Sequence, residues 1–215
     1  MSNTAPREGL VHVRSYTRRQ GDEVVQVSDY VRGAGPRKPW HGTDHETTRQ
    51  SLADLEQSSS KPNDGYGEFN PRSGAAGRYQ LSPLILNDAG WKHADGNWTK
   101  KAAEHGVRTN KDFLADPEAQ EAAMSDVFVE YERQARNAHL FDKNILGRTY
   151  QGREGQITVS KAGIIGAAHR RGVPGTKLYF EKLKDAGWDS RNIADFTRYD
   201  AWVERRLRLM QDIQY

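Results

Sequence analysis

At 215 residues, with 35% hydrophobic and 28% charged side chains, the chain is long enough for one core with an appendage, and it is polar for a globular protein. A formal charge of +3, with acids and bases interspersed, gives no nucleic-acid stripe, and no apolar run approaches the length of a membrane span. The absence of cysteine excludes disulfides and every Cys-nucleophile mechanism, including the Cys-His wall peptidases and amidases.

Met1 to Glu8 lacks the apolar stretch of a secretory signal, so any target outside the cytoplasm implies delivery by other machinery. Val11–Thr17 and Val24–Tyr30 are β-prone, with Gln20-Gly21-Asp22 as turn chemistry between them, and they predict a small N-terminal β-hairpin. Gly33 to Pro39 reads as a linker. The expected organisation is therefore an appendage over 1–42 and a mainly α domain over 43–215. Leu52-Ala53-Asp54-Leu55-Glu56 is a short helical segment ending in a carboxylate, followed by the Gly-rich stretch Gly65 to Gln80. Ser82-Pro83 opens a helix over Leu84 to Ala89 that Gly90 stops. Asp116-Pro117 opens a longer one with the stripe Met124, Val127, Phe128, Tyr131 and Ala135. Gly147 to Val159 reads as β or loop. Ser160 caps a helix over Lys161 to His169, apolar on nearly all sides and expected to be central. Thr176 to Ala186 is the next helix. Tyr199 to Ile213 is the last, with Trp202, Leu209, Met210 and Ile213 on its apolar side and Arg205, Arg206 and Arg208 as a solvated basic face.

Glu56 is the candidate catalytic acid: a carboxyl at a helix end beside a cleft is partly desolvated and can hold a proton near neutrality. Gly74 and Gly77 permit tight turns and close approach of a sugar ring. Tyr79 and Gln80 offer a hydroxyl and an amide to the acid or to an N-acetyl group, and Tyr66 offers a ring for stacking. His169 offers a group that binds substrate or tunes the acid. Glu68 is the likeliest partner carboxylate, with Asp64 behind it, and Glu68 is also the competing assignment for the acid itself.

In order along the chain, Glu56, the Gly77-Arg78-Tyr79-Gln80 block, Phe113 to Gln120 and Gly166-Ala167-Ala168-His169 resemble the signature of lysozyme-like peptidoglycan glycosidases, a group that includes phage tail lysozymes, lytic transglycosylases and secreted antibacterial effectors. Two departures stand out. The family usually reads Glu-Ser-Gly-Gly at the acid, where this chain has Glu56-Gln57-Ser58-Ser59, and its Ala-Tyr-Asn motif falls on Ala167-Ala168-His169. The resemblance implies a lysozyme-like helical domain that cuts the β-1,4 bond between N-acetylmuramic acid and N-acetylglucosamine. An inverting hydrolase needs a second carboxylate roughly 6.5–9.5 Å from the first, whereas a transglycosylase uses one Glu twice.

The seven histidines show no ligand spacing, so no metal or other cofactor is expected. The expected partner is peptidoglycan, with no nucleic acid and no membrane insertion. A phage or secretion-machinery component would serve for delivery of the protein to the periplasm, with the N-terminal hairpin as docking segment. An immunity protein is expected if the chain is a secreted toxin. The rival expectation is a catalytically silent lysozyme-fold module that binds peptidoglycan or builds a particle. A buried Glu56 with a raised pKa beside an open groove would favour chemistry, and a salt-bridged Glu56 at a blocked groove would favour the module.

Overall fold

The computed structural model describes residues 38–215 in full and, as backbone only, four strands near the N-terminus. The chain divides into two compact units, Met1–His41 and Gly42–Tyr215. In the first unit, β1 (Leu10–Val13) pairs antiparallel with β4 (Tyr30–Gly33), and β2 (Tyr16–Gln20) pairs antiparallel with β3 (Glu23–Val27). Leu10 lies opposite Gly33 and Gln20 opposite Glu23, so both ladders share one register. The expected turn residues Gly21 and Asp22, and residues 34–37 of the expected linker, lie outside the described residues.

The second unit is a mainly α-helical domain with small antiparallel β-hairpins that do not close into a barrel. It opens with α1 (Glu46–Leu55). The hairpin β5 (Phe69–Asn70) and β6 (Ala75–Ala76) follows. Next come the short helices α2 (Pro83–Asp88), α3 (Lys100–Glu104) and α4 (Asn110–Ala115). Ser82 caps α2 by accepting from the Ile85 N–H, as the Ser-Pro pair predicts. The long α5 (Pro117–Asn137) is capped by Asp116, and its stripe residues Met124, Val127, Phe128, Tyr131 and Ala135 are all buried.

The second hairpin, β7 (Thr149–Gly152) with β8 (Gly155–Thr158), fills the stretch read as β or loop. It leads into α6 (Lys161–Asp185), capped by Ser160. The two helices expected from sequence are the two halves of α6, which breaks at Gly172 (φ 69°, ψ 162°) just before Pro174. Ala162, Ile164, Ile165, Ala167 and Ala168 are buried, so the first half of α6 is central as expected. Helix α7 (Arg198–Leu209) carries a Thr197 capping box and packs along α6. Gly166 lies against Met210 of that neighbour, where a Cβ would meet the sulfur. Two details differ from the expected apolar side of the last helix. Leu209 is exposed, and Arg206, taken for part of a solvated face, is buried. Among the described residues no helix is long and apolar enough to cross a membrane.

Candidate functional site

The placement of Glu56 follows from how α1 ends. Gln57 takes the left-handed conformation (φ 58°), and its N–H and that of Ser58 return to the carbonyls of Asp54 and Ala53 at 3.0 Å each. This is a Schellman-type stop built on a glutamine where glycine is usual, and it makes Glu56 the C-cap residue that follows Leu55. Leu52 and Ala53, four and three residues before Glu56, anchor the end of α1 in the core. Ser58 then ties the stop to the Gly-rich segment by donating from its hydroxyl to the Arg78 carbonyl.

The Glu56 carboxylate is nearly buried, and its Oε1 accepts from Arg206 Nη2 at 2.6 Å. His169 Nε2 is 3.9 Å from the same oxygen. That imidazole is committed elsewhere: Nε2–H donates to the Tyr79 carbonyl at 2.7 Å, which fixes the tautomer and leaves Nδ1 an acceptor. Burial holds the His169 pKa below its ordinary value, so the ring is neutral in spite of the nearby Glu56 carboxylate. Tyr131 of α5 sits edge-on to this ring, with centroids 6.2 Å apart. Burial raises the Tyr131 pKa, keeping its hydroxyl a neutral donor. Neither the Tyr131 hydroxyl nor His169 Nδ1 has a hydrogen-bond partner among the described residues.

These groups surround an open cleft. Its main cavity, about 490 Å³, is lined by Glu56, Asn70, Gln80, Asp88, Tyr131 and His169, among others. A second depression of about 300 Å³ shares Glu56, Asn70 and Gln80 with it and adds Glu68 and Lys61. A third, about 220 Å³, runs from Glu56 and Gln57 to Trp202, Arg170, Arg205 and Arg206. Glu56 is common to all three. Glu56 is thus at the junction of three adjoining depressions.

Of the residues singled out from sequence, Glu56, Gln80 and His169 meet at the main cavity, and Glu68 lines the adjoining depression. Asp64 sits in a left-handed turn at Pro62–Gly65, its carbonyl accepting from Arg78, and it is not among the groove-lining residues. Tyr66 and Tyr79 are corrected. Each is 1% exposed, and each hydroxyl donates to Glu121 Oε1, at 2.6 and 2.8 Å respectively. Neither ring can stack on a ligand in the groove. Their work is internal: Glu121 Oε2 also accepts from the fully buried Arg49 of α1 at 2.8 Å, so one carboxylate joins α1, α5 and the Gly-rich segment. The neighbouring Gln120 clamps the same segment, accepting from the Arg78 N–H and donating to the Tyr66 carbonyl. Gly77 (φ 75°) has to be glycine because a Cβ there would overlap the Gln120 amide.

Sequence reasoning missed Arg206, Glu121 and the buried hydroxyl of Tyr131. A signal existed for two of them. Arg206 is three residues after the buried Val203 and four before the buried Met210, and Glu121 is three before Met124, so both lie on buried stripes. Among the described residues no group of His, Asp and Glu is arranged to hold a metal ion. No family model matches the chain, and neither the curated proteins nor the solved structures include one significantly similar to it.

Proposed function

We propose that the chain is a peptidoglycan glycosidase with a lysozyme-like helical domain, cutting the MurNAc-β-1,4-GlcNAc bond with Glu56 as proton donor. The observation that carries this reading is the position of Glu56, a nearly buried carboxyl at a helix end and the residue common to three adjoining depressions. Glu56 protonates the glycosidic oxygen as the C1–O bond breaks through an oxocarbenium-like transition state. In the hydrolytic route, Glu68 takes a proton from the water that attacks C1, which requires the two carboxyls to be spaced for an intervening water. In the transglycosylase route, Glu56 instead takes the proton of the muramyl 6-hydroxyl and a 1,6-anhydro end forms. The unpartnered Tyr131 hydroxyl and His169 Nδ1 supply one donor and one acceptor for sugar amide or hydroxyl groups. Glu56 in the ion pair is a carboxylate, so proton donation requires the Arg206 bond to be exchanged when substrate enters.

That ion pair favours the second reading, a silent module that binds wall glycan or builds a particle. The open groove favours the enzyme. Digestion of purified peptidoglycan by wild type, Glu56→Gln and Glu68→Gln, with mass spectrometry of the released muropeptides, separates them. Reducing ends lost in both variants assign hydrolysis with this pair of carboxyls. Anhydro ends lost only in Glu56→Gln assign transglycosylation. No soluble product from folded wild type assigns the module.

On this reading peptidoglycan is the partner, and the protein acts in the periplasm after delivery by phage or secretion machinery through the N-terminal hairpin. An immunity protein is implied if the chain is a toxin. Deleting residues 1 to 40 is expected to abolish delivery and spare activity on purified walls; activity lost in vitro would refute that division.

A further inference from the structure

The third depression differs in chemistry from the other two. It is lined by Arg170 of α6 and by Arg205 and Arg206 of α7, and Glu56 is its one carboxylate. The three guanidinium groups are close enough that Arg170 and Arg205 both lower the pKa of Arg206, after burial, which is the larger cause. Arg206 is 4% exposed, and its Nη2 is spent on Glu56 while its Nη1 has no hydrogen-bond partner among the described residues. A buried guanidinium donor with nothing to donate to is costly, and native proteins normally satisfy it with protein, water or ligand. Arg170 lies over the Trp202 ring at 4.5 Å, which holds its planar group on the wall of the depression. Neither Arg170 nor Arg205 has an ion-pair partner among the described residues, and the one carboxylate at the depression is already bonded to Arg206. Two uncompensated positive charges and an unused buried donor at one depression describe an anion site.

We propose that this depression is a subsite for a carboxylate borne on the substrate, held by Arg170, Arg205 and the free Nη1 of Arg206. This rests on the glycan-cleaving reading and names what the groove recognises beyond the sugar backbone: the acidic groups of the lactyl-peptide branch of a wall glycan. A chain passing Glu56 in the main cleft presents its branch to the depression that Glu56 shares with the arginines. Arg206 is then bonded to both the substrate branch and Glu56. A carboxylate taken up on Nη1 competes for the guanidinium charge that otherwise serves Glu56, so occupation of the subsite loosens the pair that blocks proton donation.

The test is equilibrium binding by calorimetry in the non-cleaving Glu56→Asn background and in wild type at short times. It compares a disaccharide-tripeptide muropeptide, the same muropeptide with its carboxyls converted to amides, and inorganic phosphate. The expected result is binding of the carboxylate form about tenfold or more tighter than the amide form, the range for loss of charge-assisted hydrogen bonds. In Arg170→Gln/Arg205→Gln, whose two side chains are exposed, that ratio falls to about one while thermal unfolding is unchanged. The ratio persists in Arg191→Gln, an exposed arginine paired with Asp189 and outside the groove. Equal binding of acid and amide forms, or a ratio that survives the double substitution, overturns the subsite. Phosphate binding as tightly as the muropeptide, and lost with the same arginines, overturns the assignment to a glycan-borne carboxylate in favour of a free-anion site. Because the readout is a ratio of affinities, a chain that binds in this way and cuts nothing refutes the glycosidase reading alone.

Discussion

Replacing Glu121 by Gln is the sharpest test of how the groove is held. Glu121 is 4% exposed; its two oxygens accept from Tyr66, Tyr79 and the guanidinium of Arg49, and Arg49 is itself 0% exposed. The hydroxyls donate to a carboxylate and remain protonated themselves, since burial, followed by the Glu121 charge, raises both tyrosine pKa values. Glutamine keeps the shape but has one acceptor oxygen for three donors, and it leaves a buried cation without its counter-charge. Removing one partner of a buried ion pair costs about 3–5 kcal/mol. Arg49 keeps bonds to the Asp44 and Glu121 carbonyls and to Ser125, so the lower end, about 3 kcal/mol, applies here. For a domain of this size that is a fall in Tm of about 6–12 °C. Thermal and urea unfolding of wild type and variant measure it. A change of less than about 1 kcal/mol would mean that the network is decorative and that the Gly-rich segment is held by its apolar contacts alone. The pairing is tested by a double-mutant cycle: Arg49→Met with Glu121→Leu should cost about 1–3 kcal/mol less than the sum of the singles, and additivity would refute it.

Three further predictions are cheaper to check. Gly77→Ala must adopt φ 75° and push a methyl into Gln120, whereas Gly90→Ala meets a similar φ of 78° with open space around it. The first is expected to cost about 1–2 kcal/mol more than the second by urea titration, and equal costs would refute the clamp. His169 has a folded pKa below 6.5, so below pH 6.5 the unfolded chain binds a proton that the folded chain refuses. Stability is therefore expected to fall as pH drops from 6.5, and His169→Gln is expected to flatten that limb; an unchanged slope would show the ring accepts its proton in place. Tyr199 has a lowered pKa from its bond to Arg198, while Tyr66, Tyr79, Tyr131, Tyr150, Tyr179 and Tyr215 are raised above 10.0, chiefly by burial. Above pH 10 the unfolded state loses protons that the folded state keeps, so stability falls with rising pH, and phenolate absorbance should show a small early phase and a large one coincident with unfolding.

Caps and stripes were the legible part of the chain. Ser82-Pro83, Asp116-Pro117 and Ser160 each start the helix that their chemistry predicts, because a cap acts within a few residues and depends little on the rest of the fold. The break in α6 was also readable, as Gly172 and Pro174 interrupt any helix. Side-chain destinations were less legible. Tyr66 and Tyr79 carry groups suited to a sugar, but their partner Glu121 lies far along the chain, and no local rule reveals a long-range acceptor. Arg206 stands in the basic run Arg205, Arg206 and Arg208, which by charge alone reads as a solvated face. Its spacing from Val203 and Met210 already placed it on the packed face.

The separate sequence blocks share one apolar core and are joined across it by polar bonds as well. Gln120 and Glu121, adjacent on α5, hold the backbone and the tyrosines of the Gly-rich segment. His169 of α6 donates to the Tyr79 carbonyl and comes within 3.9 Å of Glu56, which α7 grips through Arg206. The α5, Gly-rich and α6 blocks are thus bonded one to the next, while Glu56 itself is bonded to α7. Apolar burial would tolerate small slides of one helix on another, whereas these buried bonds are lost if the walls shift by an ångström. The groove residues come from five helices and the Gly-rich segment yet meet at one carboxyl. Buried polar atoms without a partner among the described residues remain at Tyr131, His169 and Arg206, all of them residues that line the groove.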